Sequence, residues 1–274
     1  MSTPTTITIK ERLQLISQLR QNDLHDEADL LEKALVAECP KMGTELMLNR
    51  FITNDEACIK IKDKIRTLSA LNDAVLITGE SGTGKELLAR ALHGRREEKK
   101  FVAINVAALP KELVESELFG HTRGSFTGAH VDKVGLIKAA ENGTLFLDEI
   151  GELRLDLQSK LLRALQEKHV RRVGSNTEEA VDFRLVCATH TNLRTKVDEG
   201  LFRLDLYARL STFELKIPPL RNRTQDVSLI LNTLLPAEHN FPYDKVDWNN
   251  VDLSLNIRSL QQIARRYIVF NEIP

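Results

Sequence analysis

The stretch Gly79-Glu80-Ser81-Gly82-Thr83-Gly84-Lys85-Glu86 has the spacing GxxxxGK. Its chemistry lies in the backbone as much as in the side chains. Glycines let successive N–H groups curl around phosphate oxygens, and a helix that starts at such a loop presents the positive end of its dipole. Lys85 adds a mobile cation for the β- and γ-phosphates. The hydroxyl residue that commonly follows the lysine, and touches Mg²⁺, is replaced by Glu86. A second pattern, Gly143-Thr144-Leu145-Phe146-Leu147-Asp148-Glu149, is an apolar run that ends in two acids. Asp148 is placed to hold Mg²⁺ through its water shell, and Glu149 to polarise an attacking water. The two patterns together indicate hydrolysis of a nucleoside triphosphate.

Both patterns need particular elements around them. The run Ala74–Thr78 precedes the glycine-rich loop, and a helical pattern follows it. Further β-rich runs occur at Phe101–Asn105, Gly143–Asp148, Phe183–Thr189 and Phe213–Ile217, with helical segments between them, one near Glu56–Leu71. Near-continuous apolar strands alternating with helices predict an α/β fold whose parallel sheet is covered on both faces. Residues 170–186 read as an inserted β-hairpin with its turn at Gly174-Ser175-Asn176. Before the core, Leu24, Ala28, Leu31 and Leu35 form one helical stripe. With the helical stretch from Lys10 and a turn at Gln21-Asn22-Asp23, this predicts an N-terminal helical hairpin. The run Cys39-Pro40-Lys41-Met42-Gly43 reads as a linker. The expected units are the appendage at 1–43, the α/β core at 44–220 and a shortened helical lid at 221–274.

Composition excludes several classes. Hydrophobic residues make up 42% and charged residues 28%, which is ordinary for a globular chain. Net charge is −1, from 38 Lys and Arg against 39 Asp and Glu, so no general electrostatic pull draws the chain to nucleic acid or an anionic membrane. Cys39, Cys58 and Cys187 are too few and too scattered for a disulfide framework or a metal-ligand set. No apolar run approaches the ~20 residues that span a bilayer, and the N-terminus has no apolar signal core. The expectation is a cytoplasmic protein that does not enter the membrane.

A third stretch, Glu117-Leu-Phe-Gly-His121-Thr-Arg-Gly124-Ser-Phe-Thr-Gly-Ala129, is more specific than the phosphate loop. It resembles the ELFGHxxGAFTGA signature of the bacterial enhancer-binding proteins, the AAA+ activators of sigma-54 RNA polymerase. The resemblance extends from about Met42 to Arg223, with a weaker tail to about Tyr267. It includes Asn105-Val-Ala-Ala-Leu109, the run from Phe202 to Leu210, and Pro218-Pro-Leu-Arg-Asn-Arg223. Glu86 is also that family's usual residue.

The resemblance implies an AAA+ P-loop NTPase with a five-stranded parallel sheet, an ATPase using ATP and Mg²⁺, and assembly into a hexameric ring. Rings in that family have six or seven subunits, and the hexamer is the expectation here. The resemblance implies that residues 79–86 bind the phosphates. It also implies that Asn105 is a switch holding Glu149 inactive, and that Arg203 and Arg209 reach the neighbouring subunit's site. An arginine delivered in trans neutralises charge on the transferring phosphoryl, an effect worth about 10³–10⁵ in rate elsewhere. Gly124, Ser125, Phe126, Thr127, Gly128 and Ala129 would be the tip of a mobile loop that grips sigma-54, with Ser125 in place of the family's alanine. The hairpin at Arg171–Asn176 resembles a second pore-side loop.

The chain departs from the pattern in places. After Thr189, His190 stands where the family has asparagine at its γ-phosphate sensor; imidazole has different reach and donors. Asn256-Ile257-Arg258-Ser259-Leu260 resembles the family's Asn-Ile-Arg-Glu-Leu, making Arg258 the second sensor, but Leu253-Ser254-Leu255 replaces the expected Trp-Pro-Gly. No helix-turn-helix pattern follows the lid, so no sequence-specific DNA binding is expected of this chain alone. The expected function is ATP-driven remodelling of the sigma-54 holoenzyme to open promoters. Two alternatives stay open: a weakly hydrolysing regulatory partner of other activators, and an AAA+ remodeller of an unrelated target.

Overall fold

The computed structural model describes residues 42–94, 99–236, 238–248 and 250–274, with residues 15, 16, 18, 19, 24, 26–28, 30 and 31. Among these, the strands in chain order are β1 (Val75–Thr78), β2 (Phe101–Asn105), β3 (Gly120–His121), β4 (Lys133–Val134), β5 (Thr144–Asp148), β6 (His169–Arg171), β7 (Glu178–Ala180), β8 (Arg184–Thr189) and β9 (Glu214–Lys216). Five of them form one sheet in the order β2-β5-β8-β1-β9, every pairing parallel. These are the five runs read from the sequence, each trimmed by at most a residue at either end.

The alternation of side chains along a strand divides the core. Leu76, Leu145, Leu147, Leu185 and Cys187 face one side, against Leu118, Ile137, Leu157 and Leu161. Val75, Ile77, Phe146, Val186 and Ala188 face the other, against Leu48, Ile61, Ile65, Leu88 and Leu92. Both faces are therefore dry, which explains the near-continuous apolar strands. Register aligns the strands' C-terminal ends: Asn105 sits opposite Asp148, and Thr78 opposite Thr189. Parallel strands thereby deliver their following loops to one edge of the sheet.

The lid comprises the helices Gln225–Leu234 and Ile257–Phe270. They share a separate small core in which Leu220, Val227, Leu231, Phe241, Leu260 and Ala264 pack together. Residues 15, 16, 18, 19, 26–28, 30 and 31 are helical, and Ile16 and Ala28 pack with Leu46. The rest of the expected hairpin, and Cys39, lie outside the described residues. The expected break at Gly43 is corrected: Met42–Arg50 is a helix that contains it. That helix crosses the end of the helix Lys85–His93 at backbone distance, since a Cβ on Gly94 would stand 2.3 Å from the Thr44 nitrogen. The absent side chain that permits this close crossing is that of Gly94.

Candidate functional site

The loop 79–86 joins β1 to the helix Lys85–His93, as its spacing requires. Gly79, Gly82 and Gly84 have positive φ, and Gly84 at φ 102° opens the helix in a conformation that side chains resist. Gly84 also meets the Phe51 ring, which a Cβ would approach to 2.9 Å. Lys85 is buried, and its Nζ donates to the carbonyls of Gly79 (2.8 Å) and Glu80 (3.1 Å). Burial holds the Lys85 ammonium below its ordinary value, with Glu149 and Asp148 working against that shift. Thr83 turns its hydroxyl to the Glu80 carbonyl at 2.8 Å. Glu86 pairs with Arg90 one turn along the helix at 2.7 Å, so its carboxylate serves the helix surface.

Asp148 and Glu149 stand at the end of β5. Burial raises the Asp148 carboxyl, and the neighbouring Glu149 charge adds to the shift. A carboxylate whose charged form is disfavoured fits a cation. Mg²⁺ is held by one or two carboxylates together with substrate phosphates and water, and Asp148 is the side chain placed to supply that ligand here. Glu149 has φ 54° and ψ 47°, left-handed backbone that is uncommon outside glycine. One of its oxygens, Oε2, faces three donors: the His190 ring at Nδ1 (2.7 Å), the His190 backbone N–H (3.2 Å) and the Thr189 hydroxyl (3.5 Å). Its other oxygen lies 3.9 Å from Lys85 Nζ.

Asn105, expected to hold Glu149, bonds the adjacent Asp148 in this structure. Asn105 Nδ2 donates to Asp148 Oδ2 at 3.3 Å, and its Oδ1 accepts from the Ala107 N–H at 2.9 Å. The parallel register that places Asn105 directly opposite Asp148 is the reason. His190, whose side chain is half exposed, holds Glu149 instead. Arg258 reaches the loop from the lid, with Nη1 3.1 Å from the Ser81 hydroxyl. Sequence reading missed other residues against the loop. Arg221 forms a two-pronged pair with Glu80 (2.6 and 2.7 Å). The wholly buried Arg223 donates to the Thr83 carbonyl at 3.2 Å and pairs with Asp226. Both arginines lie in the Pro218–Arg223 stretch, where their adjacency to the lid was the available signal.

Among the described residues, Arg203 and Arg209 make no hydrogen bond or ion pair with this chain's own phosphate loop. Arg203 caps the helix Leu204–Leu210 and pairs with Asp205 at 2.7 Å; Arg209 lies exposed in that helix's last turn. Leu201 and Leu204, on either side of Arg203, are 54% and 57% exposed.

Residues 124–129 form a tip between β3 and β4, which pair antiparallel. Gly124 and Gly128 have positive φ with open space around them, and the Gly124 N–H closes the tip on the Ala129 carbonyl at 2.8 Å. Phe126 is 38% exposed, its ring edge-on to His121 at 5.0 Å. The expected hairpin is present as β6 and β7. It supports the tip from below: the Thr122 N–H donates to the Val173 carbonyl at 3.0 Å, and a Cβ on Gly174 would come within 2.5 Å of Ser125 Cβ.

Comparison with known proteins fits this geometry. Residues 51–216 match the Sigma-54 interaction domain family. The chain is 47% identical over 215 residues to the response regulator protein PilR of Pseudomonas aeruginosa, covering 78% of this chain and 48% of that protein. It is 43% identical over 244 residues to the regulatory protein AtoC of Escherichia coli, covering 85% and 53%. The chain thus spans about half the length of these relatives. Among solved structures, NtrX from Brucella abortus in complex with ADP superposes with a TM-score of 0.72 at 28% identity, over 90% of this chain and 56% of that one. An ATP complex of the same protein gives 0.70 at 29%, over 89% and 60%. The fold is that of AAA+ P-loop NTPase domains.

Proposed function

The chain belongs to the Sigma-54 interaction domain family, the enhancer-binding activators of sigma-54 RNA polymerase, and from that premise we propose that it is an ATPase that remodels the sigma-54 holoenzyme so that promoter DNA opens. The observation that carries the proposal is the convergence of Lys85, Asp148, Glu149 and Thr189 at one edge of the sheet, with an exposed Phe126 on a separate stalk. Residues 79–86 would cradle the phosphates, Lys85 would neutralise the β- and γ-groups, and Asp148 would hold Mg²⁺. When bound, the ion would supply positive charge against the phosphates. Glu149 would take the proton of the attacking water once Oε2 leaves the His190 donors. Thr189, His190 and Arg258 would register the nucleotide's state.

Arg203 and Arg209 would complete a neighbour's site in a homo-oligomeric ring. The exposed Leu201 and Leu204 beside Arg203 support a contact there, since large apolar side chains grouped on a surface mark interfaces. Gly124–Ala129 would grip sigma-54. One observation favours the weakly hydrolysing alternative: the His190 ring occupies the oxygen that Glu149 needs for water. Two measurements test the proposal together. ATP turnover by the wild type should depend on Glu149, and the protein should retain sigma-54 in the presence of ADP and aluminium fluoride. Turnover without sigma-54 retention would favour an unrelated target.

A further inference from the structure

One face of the phosphate loop is covered by the lid. Three successive carbonyls there have donors from that side. Ser81 accepts from Asn256 Nδ2 at 2.9 Å, Gly82 from the Ile257 N–H at 3.1 Å, and Thr83 from Arg223 Nη2 at 3.2 Å. The lid therefore fixes the peptide orientations of the loop from one side, and the orientation of successive peptides decides whether their N–H groups can meet an anion. The approach is close: a Cβ on Gly82 would stand 2.3 Å from the Leu255 carbonyl oxygen.

Asn256 is the centre of this contact. It is wholly buried, and its backbone has φ 56° and ψ −123°, which only glycine adopts readily. Its side chain has a partner at each polar atom. Oδ1 accepts from the Leu220 N–H at 2.6 Å, and Nδ2 donates to the Ser81 carbonyl and, at 3.3 Å, to Glu80 Oε2. Glu80 is fixed in turn by Arg221. One residue therefore joins the phosphate loop, the segment at Leu220 and the start of the helix Ile257–Phe270. A strained residue persists where its surroundings over-determine it, and such positions cluster at ligand clamps and switches.

We propose that Asn256 is a positioning residue: its side-chain clamp on Ser81, Glu80 and Leu220 holds the phosphate loop from behind in the shape that nucleotide binds. The proposal rests on residues 79–86 being the nucleotide site. Any rotation of the Ser81 or Gly82 peptide changes a bond made by Asn256 or Ile257, so loop shapes with and without the clamp differ in their affinity for the ligand.

The test uses the full chain and a fluorescent ADP analogue. Asn256→Gly suits the backbone but deletes both arms of the clamp. It should leave the unliganded melting temperature within a few degrees of wild type, yet weaken ADP by about tenfold. Asn256→Asp keeps the acceptor for Leu220 but points an acceptor at the Ser81 carbonyl and the Glu80 carboxylate, so it should weaken ADP further. Binding by Asn256→Gly within about twofold of wild type overturns the proposal. Hydrogen exchange in the wild type gives a check that needs no variant. ADP should slow exchange of the Leu220 amide, whose acceptor is Asn256, and unchanged exchange there also overturns the proposal. Failure of the underlying reading looks different: the wild type and Lys85→Ala would then bind the analogue equally poorly, and the proposal falls with it.

Discussion

At the scale of single residues, Glu149 and Lys85 carry the sharpest expectations. Glu149→Gln keeps the shape of the site but removes the group that accepts water's proton. It should bind ATP and lose about 10²–10⁴ of turnover, measured as phosphate release. His190 donates to Glu149 from ring and backbone, so its ring competes with the attacking water for Oε2. His190→Ala removes the ring donor, so basal turnover should rise several-fold with little change in nucleotide affinity; an unchanged kcat contradicts that role. Lys85 predicts a pH effect. Burial holds its ammonium below 10.5, and a phosphate alongside raises it again. ADP binding should therefore take up a proton at alkaline pH, and affinity should fall before 10.5 is reached. For folding the sign is opposite: the unfolded chain binds the extra proton in that window, so this group alone makes stability rise with pH there. ADP titrations across alkaline pH decide the point, and a flat affinity up to 10.5 contradicts it.

At the scale of elements, the proposal assigns hydrolysis to the sheet edge and contact with sigma-54 to the tip at 124–129. Phe126→Ala and Thr127→Ala alter a tip that β3, β4 and the hairpin hold apart from Lys85 and Glu149. ATP turnover should stay within about twofold of wild type while retention of sigma-54 is lost; retained sigma-54 binding by both variants contradicts the assignment of residues 124–129. Much of this architecture was legible beforehand. The five sheet strands are apolar runs bounded by turn residues, and GxxxxGK fixed the strand–loop–helix unit, because these signals are local. Partners across the sheet were harder to read. Asn105 bonds Asp148 rather than Glu149 because of a register between β2 and β5 that no local spacing reveals. Asn256, Arg221 and Arg223 meet the phosphate loop from more than a hundred residues away in the chain, so their roles needed the lid in place. Gly43 misled because a glycine inside the helix Met42–Arg50 has the same local signal as a glycine in a linker.

At the scale of the whole molecule, one chain supplies a phosphate site at one edge of the sheet and sends Arg203 and Arg209 elsewhere. The account therefore requires a neighbour. Specific ATPase activity should rise with protein concentration, and mixing Arg209→Ala with Lys85→Ala subunits should restore part of the activity each lacks alone, because one intact junction can form between them. Activity strictly proportional to concentration in monomeric samples contradicts completion in trans. The central claim is that this assembly spends ATP on opening sigma-54 promoters. Its most direct test is permanganate footprinting of a sigma-54 promoter incubated with sigma-54 holoenzyme, the wild-type chain at ring-forming concentration, and ATP. The account predicts reactive thymines around the start site with ATP, none with ADP, and none with Glu149→Gln. A footprint that stays closed while the same sample hydrolyses ATP would contradict it.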